Sequence, residues 1–207
     1  VWSPDSKTIA FASDRYGNFD IFTVRADAPG KWNRLTYNSA SELPEAFTPD
    51  GKSVLFSAAI QDPAESALFP TGRMTELYSV DLAGGKPRQI LATPVNSVSW
   101  APDGKSFVYQ DVKGFEDTWR KHHTSSVTRD IWRYTPSTGR HQQLIANPGE
   151  DLSPVDGGDY IYFLSERAPQ KSLNVYRAPA SDLSKAESLT SFGTHHVRFL
   201  SRANDGT

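Results

Sequence analysis

Seven cations recur where one strand of this chain gives way to the next: Arg15, Arg73, Arg120, Lys121, Arg129, Arg167 and Lys171. A guanidinium grips a carboxylate through two parallel N–H donors, so such a set has the chemistry to hold acidic segments or a peptide's terminal carboxylate. Arg120, Lys121 and Arg129 are expected to form the substrate-binding centre of this rim, with Trp119 and Arg73 beside them. The opposing expectation is that these charges pair with Glu116, Asp117, Asp130 and Glu166 or stay solvated.

Bond-making chemistry finds less support. The chain has no Gly-x-Ser-x-Gly elbow and no His-Glu-x-x-His helix, so no catalytic residue is assigned. Two histidine pairs, His122-His123 and His195-His196, suggest a metal, but neighbours on a strand point to opposite faces, and no metal or cofactor is expected. Ser125 and Ser126 are read as loop-stabilising hydroxyls, because a nucleophile needs an oriented base. Asp156-Gly157-Gly158-Asp159 lacks the spaced ligands of a calcium loop and is read as a hairpin turn.

What must position these residues is a repeat. Val1-Trp2-Ser3-Pro4-Asp5, Ala46-Phe47-Thr48-Pro49-Asp50-Gly51 and Ser99-Trp100-Ala101-Pro102-Asp103-Gly104 each lead into an alternating strand, and Leu152-Ser153-Pro154-Val155-Asp156-Gly157 does so more loosely. From Asp5 to Asp50 the period is 45 residues; Asp50 to Asp103 and Asp103 to Asp156 are each 53. Periods of this size belong to four-stranded propeller blades. Proline presets φ, aspartate bonds nearby backbone and glycine accepts a left-handed conformation, so each marker closes a hairpin.

Two further markers keep register with the first. Asp20-Ile21-Phe22, Glu76-Leu77-Tyr78, Asp130-Ile131-Trp132 and Asn174-Val175-Tyr176 read as third strands. Leu35, Ile90, Leu144 and Leu189 follow the third-strand aromatics by 13, 12, 12 and 13 residues and mark the outer strands. A β-sandwich has turns at similar spacing but no reason to repeat its sequence. The expected fold is therefore all-β, a β-propeller of four-stranded antiparallel blades, with about four blades present out of a six- or seven-bladed ring. The blades are placed at 1–38, 39–93, 94–147 and 148–191, with 192–207 opening a fifth.

From the second-strand aromatic to the third-strand one there are 11 residues in the first unit and 14 in the fourth, but 22 and 23 in the second and third. Both insertions fall at the end of the blade opposite the Pro-Asp hairpin, and long loops on a rigid scaffold commonly carry function. Trp2, Trp100 and Trp132 are expected to pack between blades, whereas Trp119 sits in an insertion and is a candidate contact.

The segment Trp119–Trp132 resembles part of the N-terminal propeller of bacterial tricorn-type proteases, large serine peptidases that also carry a PDZ domain and a catalytic core. Leu68-Phe69-Pro70-Thr71-Gly72-Arg73, Glu76-Leu77-Tyr78-Ser79-Val80 and Pro87-Arg88-Gln89-Ile90-Leu91 extend the resemblance along nearly the whole chain. The Pro-Asp-Gly repeats are shared with TolB and other WD40-like propellers. The resemblance implies a non-catalytic gate or filter for peptides, the nucleophilic serine belonging to a C-terminal region outside this chain. The alternatives are a TolB-like protein-interaction scaffold and the propeller of a prolyl-oligopeptidase-like peptidase.

Composition sets the outer limits. With 207 residues, 37% hydrophobic and 12% aromatic, the chain has enough apolar surface for a sizeable core. A formal charge of −2 argues against a general nucleic-acid binder. No apolar run approaches the roughly 20 residues that cross a bilayer, so membrane insertion is not expected. Absence of cysteine excludes disulfides and leaves a periplasmic and a cytoplasmic location equally open. Expected partners are peptides or unfolded polypeptide, further domains of the parent chain, and a second copy in a homo-oligomer.

Overall fold

A computed structural model describes residues 1–60, 74–114, 124–167 and 172–203. The only helical element among these residues is a single 3-10 turn, Leu183–Lys185. The chain divides into two compact units, Val1–Val95 and Asn96–Thr207.

In the first unit, β1 (Thr8–Ser13), β2 (Asp20–Arg25) and β3 (Trp32–Arg34) form an antiparallel meander, to which Trp2 adds an isolated bridge with Ile9. Strands β4 (Glu42–Phe47), β5 (Ser53–Ala58), β6 (Glu76–Asp81) and β7 (Arg88–Leu91) follow as a four-stranded sheet in sequence order. The alternation explains how they pack. Ala10, Ile21 and Leu35 lie on one face of the first sheet and meet Phe47, Val54, Phe56, Tyr78 and Val80 of the second in one buried cluster.

The second unit repeats the scheme. Its sheets are β8 (Val95–Trp100), β9 (Phe107–Asp111), β10 (Ile131–Thr135) and β11 (Arg140–Ile145), then β12 (Asp151–Asp156), β13 (Tyr160–Ser165), β14 (Asn174–Pro179) and β15 (Glu187–Ser188). Val108, Ile131 and Ile145 face Ile161, Phe163, Tyr176 and Ala178 in its core. In three of the four sheets the second-strand aromatic stacks on the third-strand one at the same angle: 24° for Phe11 on Phe22, for Phe56 on Tyr78 and for Phe163 on Tyr176.

The hairpin markers behave as turns in three copies. Oδ1 of Asp5, Asp50 and Asp103 accepts the backbone N–H of Lys7, Lys52 and Lys105. Gly51 and Gly104 both take φ of 68°, and Ser6 fills the same place at 56°. A Cβ on residue 51 would meet Pro4 at an ordinary 3.7 Å. The cost of Gly51→Ala is therefore conformational, about 1 kcal/mol, measurable as a lower urea midpoint with an unchanged slope.

In the fourth copy Asp156 Oδ1 likewise accepts the N–H two residues on, from Gly158, but the turn lies further along the chain than in the other three. Asp156 pairs with Ile161 as the last residue of β12, and the tight turn runs from Gly157 to Tyr160, closed by the Gly157 N–H on the Tyr160 carbonyl. Pro154 lies in a β-bulge within the strand, where its missing N–H is tolerated. Asp156 is buried and accepts from Arg133 of the preceding sheet at 3.0 Å.

The outer-strand marker also shifts. In the second and third sheets the register slips beside Tyr78 and Trp132, so that Leu91 faces Leu77 and Ile145 faces Ile131. The buried aliphatics there are Leu91 and Ile145, one residue after Ile90 and Leu144, and Leu189 is half-exposed.

Candidate functional site: the rim of the strand two to strand three connections

The acidic or amide residue that opens each third strand has a structural task. The carbonyl just before it receives the N–H that begins the next sheet in three cases, Phe19 from Glu42, Thr75 from Val95 and Arg129 from Asp151, and Leu173 receives that of Val197, all at 2.7–3.1 Å. Its side chain is then held from the outer strand. Arg34 donates to Asp20 at 2.7 Å, Gln89 to Glu76 at 2.7 Å, Gln143 to Asp130 at 3.0 Å and Thr190 to Asn174 at 2.8 Å. Third and fourth strands and the next blade are thus pinned at one end, beside the connections that carry the cations.

Three of those cations fall among the described residues, and each is engaged differently. Arg129 binds Glu150 twice, through its backbone N–H and its Nη1, both at 3.2 Å. Arg167 donates to Ser165 at 2.9 Å and to buried Asp151 at 3.4 Å, its guanidinium lying 5.4 Å from the Phe163 ring centroid. Arg15 donates Nε–H to Ser13 at 2.9 Å and stacks 4.7 Å from Phe22 and 4.5 Å from Trp32. Arg73, Trp119, Arg120, Lys121 and Lys171, with His122-His123, lie outside the described residues.

Sequence reasoning missed a fourth cation, Lys113. Its ammonium binds Asp130 at 2.5 Å and the Thr128 carbonyl at 2.8 Å. The signal was available: Ser13-Asp14-Arg15, Asp111-Val112-Lys113 and Ser165-Glu166-Arg167 occupy one position of the repeat, each ending two residues past its second strand. Also missed were Glu42 and Asp151, fully buried acids that open first strands.

Burial governs the electrostatics of this rim. It pushes the Asp151 carboxyl up to about 6, opposed by the Arg167 charge and the Ser165 hydroxyl. Burial also raises Glu42, against hydrogen bonds from Thr36 and Asn38, and nearby Asp20 pushes the same way. Asp111 is raised by burial despite the Asp130 N–H, Lys113 and the Trp132 indole N–H. Desolvation costs the ion more than its partners return.

The remaining chemical candidates resolve into local bonds. Ser125 Oγ accepts from the Val127 N–H, and its carbonyl accepts from the Thr128 hydroxyl. His196 Nδ1 accepts from the Leu173 N–H, while His195 meets Thr194. Among the described residues no cluster of three His, Cys, Asp or Glu is placed to hold a metal ion.

In the first unit Tyr16, Phe19, Tyr37 and Leu43 are all exposed. Arg34 stacks between Tyr16 and Tyr37, 4.6 and 4.4 Å from their ring centroids. At the other end of each of the first three sheets stand the Asp and Lys residues of its own hairpin.

Comparison with known proteins agrees with this architecture. The chain is 28% identical over 154 residues to Dipeptidyl-peptidase 5 of Porphyromonas gingivalis, covering 69% of this chain and 20% of that protein. Crystalline TolB of Acinetobacter baumannii superposes with a TM-score of 0.67 at 21% identity, over 92% of this chain and 42% of that one. A prolyl endopeptidase superposes with a TM-score of 0.60 at 16% identity, over 94% of this chain and 28% of the other. The sheets are therefore propeller blades, and the chain spans only a fifth of its curated peptidase relative and less than half of either of these structures. Its sequence matches the tricorn protease N-terminal beta propeller domain over residues 1–206, and the chain belongs to that family.

Proposed function

We propose that this chain is the non-catalytic propeller portion of a tricorn-like protease and guides peptides toward a catalytic domain outside it. The match over residues 1–206 to a protease's propeller domain carries the reading. Ion pairs within the sheets support it: Arg34 with Asp20, Lys113 with Asp130 and Arg167 with Asp151 lie where strands meet the connections that carry the cations. In this reading Arg120, Lys121, Arg73 and Trp119 orient the peptide, and Arg129 is held by Glu150.

The test uses the full-length polypeptide that carries this chain, assayed on paired peptides with a free or an amidated C-terminus. Replacing Arg120 and Lys121 by glutamine is expected to raise KM about tenfold for free-acid peptides and to leave the amides unchanged, as loss of a charge-assisted contact does. Unchanged kinetics for both would overturn the role of these residues.

The 28% identity to a dipeptidyl-peptidase favours a second reading, the propeller of a prolyl-oligopeptidase-like enzyme. A Gly-x-Ser-x-Gly elbow downstream would select it, whereas a PDZ domain followed by a serine-peptidase core would select the first. Absence of cleavage by the full-length protein would leave the interaction scaffold.

A further inference from the structure

Two third strands of the second unit are entered through the same pair of bonds, one made with a carboxylate and the other with an imidazole. The Arg129 N–H donates to Glu150 Oε2 at 3.2 Å, and the Arg129 carbonyl accepts the Asp151 N–H. Leu173 repeats the arrangement: its N–H donates to His196 Nδ1 at 3.1 Å, and its carbonyl accepts the Val197 N–H at 2.9 Å. Glu150 and His196 thus hold equivalent places. Nδ1 accepts a bond only in a neutral ring whose proton sits on Nε2. An imidazolium donates from both nitrogens, so protonation sets an N–H against the Leu173 N–H and ends the bond.

The surroundings disfavour the charged ring. Asn174 opens β14 where Asp20, Glu76 and Asp130 open the other third strands, and Val197 stands where Glu42 and Asp151 stand. Neither offers a carboxylate to an imidazolium. On its own segment His196 is followed by Arg198, a second cation, and preceded by His195, whose Nδ1 meets the Thr194 hydroxyl. On the connection before β14 the charged groups among the described residues are Glu166 and Arg167, the latter bound to Asp151. The other ties of the segment do not titrate: Asn174 bonds both the N–H and the carbonyl of Phe192, and Ser172 donates to the Gly193 carbonyl.

We propose that His196 is a pH-sensitive latch, which holds residues 190–197 on the start of β14 when neutral and loosens them when protonated. An imidazole titrates near 6.5 in an unfolded chain and a glutamate near 4.3. The stabilisation is present with the neutral ring and is lost as pH falls through the imidazole range. Between about pH 7.5 and 5.5 the latch at His196 therefore opens while its counterpart at Glu150 stays closed.

The test follows hydrogen exchange in the full-length polypeptide that carries this chain, in peptides spanning 172–176 and 190–197, at pH 7.5 and 5.5, with each rate divided by its intrinsic value at that pH. Protection there is expected to fall about tenfold on acidification, as loss of one hydrogen bond allows. Peptides spanning 129–151 should keep theirs. His196→Asn sets an amide oxygen in the place of Nδ1 and removes the titration, so its protection should be the same at both pH values. A flat profile in the unaltered protein, a fall that survives His196→Asn, or an equal fall over 129–151 would overturn the inference.

Discussion

Arg167→Ala lowers stability by about 3 kcal/mol at pH 8 and by much less at pH 5, because it strips a buried carboxylate of its counter-ion. The Asp151 side chain has no solvent exposure, and Arg167 is its ion-pair partner. With the guanidinium gone, burial acts with only the Ser165 hydroxyl against it, and the carboxyl must stay charged in an apolar place or take up a proton. At pH 5 it is already protonated, since its pKa stands at about 6. Urea midpoints of both proteins at pH 5 and 8 check this, and equal losses at the two pH values would refute it.

The sign in the unaltered protein follows from the same group. An unfolded aspartate titrates near 4. Between about pH 4 and 6 the native chain therefore holds a proton on Asp151 that the unfolded chain has released. This contribution to stability is complete below about pH 4 and is lost as pH rises through about 6, a loss of about 3 kcal/mol. Glu42 and Asp111 are raised as well and push in the same direction. Asp151→Asn should flatten the slope above pH 4, read from the same midpoints.

The repeat made the blades legible because each marker reports a local necessity. Proline and glycine close the hairpin within four residues, and the stacked aromatic pair needs only strand alternation. What stayed hidden depends on the neighbouring blade. Glu42 and Asp151 read as ordinary strand residues until the adjacent third strand takes their N–H groups and buries them. Asp156 was misplaced for a related reason: its Pro-Val-Asp-Gly string imitates the turn motif, but a bulge consumes Pro154 and shifts the hairpin along the chain. Of the expected binding rim, the cation spacing was readable, and the engagement was not. No sequence pattern reveals that Arg167 Nη2 reaches buried Asp151.

Phe163→Ala should be the most damaging single change in the second unit, costing about 4 kcal/mol. Phe163 has no exposed surface and stacks on Tyr176 at 6.0 Å, and its cluster joins the third and fourth blades through Val108, Ile131 and Ile145. Truncation leaves a void bounded by two hydrogen-bonded sheets. β12 is fixed to the preceding blade by Arg129, Arg133 and Gln110, so the site cannot collapse to fill it. Phe163→Leu keeps most of the volume and should cost under about 1.5 kcal/mol. The consequence for function follows from geometry: Arg167 rests on the Phe163 ring, so loss of the ring frees the guanidinium that neutralises Asp151. The alanine variant should therefore show a steeper fall in urea midpoint between pH 5 and 8 than the leucine variant. Parallel pH profiles in the two would mean that the ring packs the core without positioning the rim.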